Sequence, residues 1–285
     1  MQWAGIAVNA PDQETEDAVV YLLLNSGCGG VALNNESHPK LVTAYLPIDD
    51  RSTERLRQIA AALTLLPSLG IPYPGEPAIT VVDEEDWANS WRAYFKPLRI
   101  GRKLVVSPPW ENPELGDRDI LITIDPGMAF GTGTHGTTQM CLILLEEYLN
   151  AGDSIADIGT GSGILSIAAS KLGALSVLSV DNDPLAVKIA SENARINMVS
   201  GDVTDQFPFG KTFDLVLANI IADTLIQMAG SLASITKDGG ILIVSGVIDE
   251  RQNDVRLFIE GAGFSSLETR TQGEWVALVF RRAGI

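Results

Sequence analysis

The chain is poor in cysteine, histidine and basic charge. Cys28 and Cys141 are the only cysteines in 285 residues, and His38 and His135 the only histidines. Two cysteines cannot build a disulfide framework or a zinc site. Both lie in apolar surroundings, as reduced packing residues do, and no metal site is expected. The segment nearest to a membrane span, residues 163–180, is split by Lys171 and Gly173 and fits a buried helix followed by a buried strand. No signal peptide is legible at the start, so a cytoplasmic protein is expected. Basic residues number 20 against 36 acidic ones, a net charge of −16. Residues 1–100 hold seven basic and thirteen acidic residues, and residues 101–285 hold 13 and 23. Neither part has the basic face that a phosphate backbone requires, which disfavours a nucleic-acid substrate. A basic protein partner would instead be steered in.

What remains is an ordinary globular composition, 46% hydrophobic and 20% charged, long enough for two domains. The first part reads as βαββαβ: strands near 3–8, 30–33, 41–46 and 78–82, with helices from Asp12 to Leu24 and from Asp50 to about Leu66. That order is the order of a ferredoxin-like sandwich. Residues 1–82 are expected to form this small α+β domain. A linker helix is expected within 83–97, with four aromatics from Trp87 to Phe95. Residues 98–285 are expected to form the main domain. From Gly136 onward helices alternate with continuous apolar runs such as Leu215-Val-Leu217 and Ile241-Leu-Ile-Val244, the pattern of buried parallel strands. Two strands around Gln272-Gly-Glu274 close the chain as an antiparallel hairpin. The fold class is therefore α/β: a doubly wound sheet ending in a hairpin, as in class I methyltransferases.

Chemistry concentrates in Asp157-Ile-Gly159-Thr-Gly161-Ser-Gly163, between a strand and a helix. Glycines let a ligand approach the backbone, and the helix start offers unpaired N–H groups. Asp181 ends the next strand 22 residues after Gly159, a spacing that suits a carboxylate on ribose hydroxyls. A dinucleotide fingerprint needs Gly or Ala at its sixth position. Ile164 or Ser166 stands there, depending on the first Gly counted. The stretch from Gly131 to Thr137 lacks the lysine of a phosphate loop. Alternate glycines after an acid match S-adenosylmethionine binding, through Asp157, Gly159, Gly161, Gly163 and Asp181. Asn219 ends a further strand at the same edge, as a ligand contact, a helix cap or both. It is followed by Ile-Ile-Ala222, so the Pro-Pro-Tyr clamp of base and amide methyltransferases is absent. Glycines and threonines crowd residues 131–138, a composition suited to a loop that wraps a ligand and then caps a helix. His135 in that loop reads equally as a hydrogen-bonded loop residue or as a base.

Asp125-Pro-Gly-Met-Ala-Phe-Gly-Thr-Gly-Thr-His135, the glycine turn, Val180-Asp181-Asn-Asp-Pro184, Ala218-Asn219-Ile220 and Gly273-Glu-Trp275 resemble the ribosomal protein L11 methyltransferase family. The resemblance runs from about residue 87 to the end; the small domain matches in layout. It implies cofactor contacts at Thr138, Gly159, Asp181 and Asn219. It also implies a substrate loop containing Phe130, Thr134 and His135, with Asn219 positioning the reacting amine and no essential general base. The small domain would hold the large-subunit ribosomal protein, and the acceptors would be lysine side chains and the N-terminal amine. A methyltransferase for another protein or a small molecule, or a non-catalytic cofactor-binding module, are the alternatives. Two departures stand out. Gly136 occupies a position where the family usually has Pro. Only Met198-Val-Ser200 separates a helix end from Gly201-Asp202, so the third strand is compressed and Asp202 is left as the acid for the adenine.

Overall fold

The computed structural model describes residues 2–28, 31–34, 40–83, 95–125 and 131–284. The chain divides into two units, Met1–Phe95 and Lys96–Ile285. The expected linker helix falls almost wholly outside the described residues, as do His38 and Phe130.

In the first unit, β1 (Gln2–Ala10), α1 (Gln13–Asn25), β2 (Val31–Asn34), β3 (Lys40–Pro47), α2 (Ser52–Leu65) and β4 (Ala78–Asp83) follow one another as expected. The sheet order is β2-β3-β1-β4, antiparallel throughout. Alternation drives it: Ala4, Ile6, Val8 and Ala10 point to one face of β1 and are buried with Val19 and Leu23 of α1 and Ile59 and Leu63 of α2. Asp12 starts α1 by accepting a hydrogen bond from the Thr15 amide at 2.8 Å.

The second unit opens with a small sheet of β5 (Leu98–Ile100), β6 (Leu104–Ser107) and β7 (Ile120–Thr123). The sequence shows only the last two, since three residues are too few to display a period. Then come α3 (Gly136–Tyr148), β8 (Ser154–Ile158), α4 (Ile164–Leu172), β9 (Ser176–Val180), α5 (Pro184–Ile196), β10 (Asp202–Thr204), β11 (Phe213–Asn219), α6 (Ala222–Ile235), β12 (Thr236–Ile248), α7 (Gln252–Gly261), β13 (Phe264–Gln272) and β14 (Trp275–Arg282). The seven strands β8 to β14 lie in the order β10-β9-β8-β11-β12-β14-β13. The first five are parallel, and β14 and β13 are antiparallel. The hairpin turns on Gly273, at φ 61°. Both sheet faces are packed: Ile155, Leu215, Leu217 and Ile243 belong to one core, and Ala156, Val216, Ala218 and Leu242 to the other. This explains why these strands read as unbroken apolar runs. Cys28 and Cys141 are buried and free, and burial first, then the neighbouring Asp157 charge, push the Cys141 thiol up to about 12.

The connectivity runs outward from β8 to β9 and β10, then returns to β11 on the other side. Helices leaving β8 and β11 therefore diverge to opposite faces and open a crevice at the carboxyl ends of these two strands. The third strand is as short as expected. Met198 makes the reversal after α5 in the left-handed region at φ 55°, and β10 spans only three residues.

Candidate active site

The glycine turn lies at this crevice. The Gly159 and Thr160 amides donate to the Val180 carbonyl at 2.8 and 3.0 Å, fastening the turn to the end of β9. Gly159 has φ 75°, and a Cβ there would stand 2.3 Å from Cγ2 of Ile220. A side chain there would have to push the Ile220 side chain aside and adopt a left-handed backbone that favours glycine. The Gly161 amide donates to Oδ2 of Asp181 at 2.9 Å, and the Asp183 amide donates to Oδ1 at 3.1 Å. Two backbone donors thus fix the carboxylate at the end of β9. Each oxygen keeps a free lone pair for a hydroxyl donor.

Asp157 is fully buried one position before the end of β8. Its Oδ2 accepts from Thr160 Oγ1 and Ser166 Oγ, both at 2.7 Å. Its Oδ1 has no partner among the described residues. Burial raises its pKa against those hydrogen bonds, and the charge of Asp181 adds to the rise. Thr138, 1% exposed in the first turn of α3, leaves Oγ1 without a partner. Asn219 ends β11, and its Oδ1 is buried and unpartnered. It is not a helix cap: α6 has Ile221 in that place, with no side-chain capping bond. Three buried, unsatisfied oxygens on three neighbouring elements are unusual in a folded protein. They fit a ligand that carries hydrogen-bond donors, such as the ammonium and ribose hydroxyls of S-adenosylmethionine.

One expectation changes. Asp202 was expected to meet the adenine, but it pairs with Leu178 in β9, while Thr204 pairs with Val180. Asp202 therefore sits, exposed, at the amino end of β10 rather than at the carboxyl end where the crevice lies. The three-residue strand advances the chain so that Asp205 is the acid just beyond the carboxyl end, beside the Thr204 carbonyl that accepts from the Asp181 amide. His135 is the cap of α3 rather than a poised base. Its Nδ1 accepts from the Thr137 amide at 3.4 Å and lies 2.7 Å from Thr137 Oγ1, and its ring meets Trp275 edge-on with centroids 4.9 Å apart. That contact explains the shared occurrence of His135 and Gly273-Glu-Trp275 in the sequence. Thr134 is exposed; its carbonyl accepts from the Gln139 side chain. His135→Ala is expected to lower stability by about 1 kcal/mol through loss of the cap and to leave turnover within roughly tenfold. Thermal melts and initial rates check it; a loss of several orders of magnitude in turnover with donor binding intact would restore the base.

Sequence reasoning missed Asn193, Asn197 and Gly246. The two asparagines lie four apart, Asn193 on α5 and Asn197 capping its end, and the polar run around them reads as a solvated face, yet they are 1% and 5% exposed. A cavity of about 440 Å³ opens at the opposite, amino end of the sheet, lined by Asp153, Asp214 and Lys237 among others. Asp214 is already satisfied there by Ser154 and Lys237. Burial opposes its ionisation, but these partners outweigh it and hold the carboxyl down to about 2. Among the described residues no cluster could hold a metal ion, and no helix is long and apolar enough to cross a membrane.

A doubly wound sheet of this strand order, with a glycine turn at its reversal and a fixed acid on the next strand, defines a class I methyltransferase using S-adenosylmethionine. Residues 2–283 match the family described as ribosomal protein L11 methyltransferase (PrmA). The ribosomal protein L11 methyltransferase of Pelotomaculum thermopropionicum is 40% identical, over 99% of this chain and 99% of that protein. Its counterpart in Pelobacter propionicus is 41% identical, over 99% and 98%. A crystal structure titled ribosomal protein L11 methylase, from Lactobacillus delbrueckii subsp. bulgaricus, superposes with a TM-score of 0.63 at 31% identity, covering 67% of this chain and all of that one. The chain belongs to the ribosomal protein L11 methyltransferase family.

Proposed function

We propose that this protein transfers methyl groups from S-adenosylmethionine to amine nitrogens of ribosomal protein L11, namely lysine side chains and the N-terminal amine. Family membership supports the substrate. The observation that carries the chemistry is the set of unsatisfied oxygens of Thr138, Asp157 and Asn219 at the sheet's reversal. Asp181 would take the ribose hydroxyls. Asp157 and Thr138 would take donors of the methionyl end, and Gly159, Gly161 and Gly163 would let the nucleoside lie against backbone. When bound, S-adenosylmethionine supplies a methyl group on a sulfonium, open to attack by a lone pair.

The acceptor amine must be neutral. For a lysine with a free pKa near 10.4, deprotonation at pH 7 costs roughly 4.6 kcal/mol. Removing the amine from water lowers that cost, whereas a carboxylate beside it would raise it. The neutral Oδ1 of Asn219 suits this requirement: it accepts an N–H and aims the lone pair while stabilising the ammonium less than a carboxylate would. Positioning then supplies most of the acceleration. The net charge of −16 draws a basic ribosomal protein from a distance, and the first unit, with its ferredoxin-like sheet, would hold it. Such a reaction belongs to the cytoplasm and needs neither nucleic acid, membrane nor metal.

The test incubates the purified protein with methyl-labelled donor and purified ribosomal protein L11, followed by mass spectrometry of the product. Mass increments of 14 Da on lysines and the N-terminus are expected, with a rate that falls as salt rises. Donor binding by calorimetry without any label on the ribosomal protein would leave a different acceptor or a non-catalytic module. No donor binding would end the reading.

A further inference from the structure

Ser162, inside the glycine turn, is joined to Gly131 directly and to Asp125 through Asn193. Its Oγ donates to the Gly131 carbonyl at 2.6 Å. Its carbonyl accepts from Nδ2 of Asn193 at 2.9 Å, and Oδ1 of the same asparagine accepts from the Asp125 amide at 3.3 Å. Asn193 is 1% exposed and uses its side chain as a two-sided strut between the turn and Asp125. Asn197, one helical turn on, holds Thr123 instead: it accepts from the Thr123 amide at 2.8 Å and donates to the Thr123 carbonyl at 2.5 Å, without reaching the turn. Asn197 thus fastens the end of β7, whereas the bonds of Asn193 and Ser162 reach no strand.

We infer that Asn193 is a positioning residue that locks Asp125 to the cofactor turn, with Ser162 Oγ locking Gly131, so that these two positions are set together with the turn. This rests on the donor-binding reading given above. An amide is the group the position requires, because it must donate to one carbonyl and accept from one amide in a dry site. Leu matches its volume and does neither, so both hydrogen bonds are lost.

The test compares Asn193→Leu and Asn197→Leu by calorimetry with S-adenosylhomocysteine, by thermal melting, and by amide exchange in the ligand-free chain. Both variants lose buried hydrogen bonds, so both melt lower. Only N193L is expected to weaken binding at least tenfold and to speed exchange at Asp125 and around Gly131. Ser162→Ala, a smaller change, addresses the same lock should N193L not fold, and is expected to shift binding and the exchange near Gly131 in the same direction. Wild-type binding with N193L and S162A unchanged in affinity overturns the inference, as does an equal affinity loss in N197L. Absence of binding by the wild type overturns the donor-binding reading itself, and this inference with it.

Discussion

Asp181→Asn is expected to weaken binding of S-adenosylhomocysteine by about 2–3 kcal/mol, roughly 30- to 150-fold, with a small change in melting temperature. The magnitude follows from hydrogen bonds to a charged acceptor, about 1.5–3 kcal/mol each when one side is ionised. The variant keeps one oxygen, enough for the Gly161 or the Asp183 amide but not both. The turn should therefore hold its shape while the ribose loses its charged partner. The 2′-deoxy ligand separates this from a general disturbance. Against the wild type it should bind far more weakly than the parent ligand; against D181N the two should differ little. An unchanged affinity for the parent ligand in calorimetry would remove the carboxylate from the site.

Gly246→Ala is expected to be the most damaging single methyl group in the molecule. Gly246 lies in the bulge where the pairing of β12 with β14 shifts register between Val244 and Val247, at φ 80°. Its Cβ would stand 2.6 Å from the carbonyl oxygen and 2.8 Å from the carbonyl carbon of Ile220. Backbone cannot rotate away as a side chain can. Left-handed strain of about 1–2 kcal/mol therefore adds to a forced movement of the segment after β11, and we expect a loss of about 3 kcal/mol. In a domain of this size that lowers Tm by roughly 6–12 °C. Ile220 also donates its amide to the Ser245 carbonyl and follows Asn219 directly. The same displacement moves the Asn219 amide, so turnover should fall more than donor affinity. Gly239→Ala is the control: φ is 74°, but nothing lies within 4 Å of the added methyl, and it should cost only the strain. Equal melting temperatures for G246A and G239A would show that the Ile220 contact is not what constrains this position.

Much of this architecture could be read from residue order alone, because it rests on period and punctuation. β11 and β12 announce themselves as apolar runs since both their faces are covered, and Gly273 marks the hairpin. The turn at Gly159 and the acid at Asp181 beside it were legible because a tight glycine turn and an acid at the end of the next strand stand at a fixed spacing. What escaped depends on register or on contacts distant in sequence. Asp202 and Asp205 are equally acidic, and only the pairing of Thr204 with Val180 shows which one stands at the edge. Asn193 looks like part of a wet helical face until the segment it supports, 68 residues away, is in place. Gly246 could be any strand glycine until the backbone of Ile220 is seen against it. His135 had two readings, and its bonds to Thr137 select the cap.

The seven-stranded sheet ends on one side in β10 and on the other in β13. Unpaired strand borders invite other chains to add themselves. β10 offers three residues, too short a template for stable addition. β13 carries Glu268 and Arg270, with the guanidinium held between Glu268 and Glu147, so an incoming strand would have to desolvate a charge cluster. The brevity of the third strand thus also protects the molecule against polymerising through its own sheet.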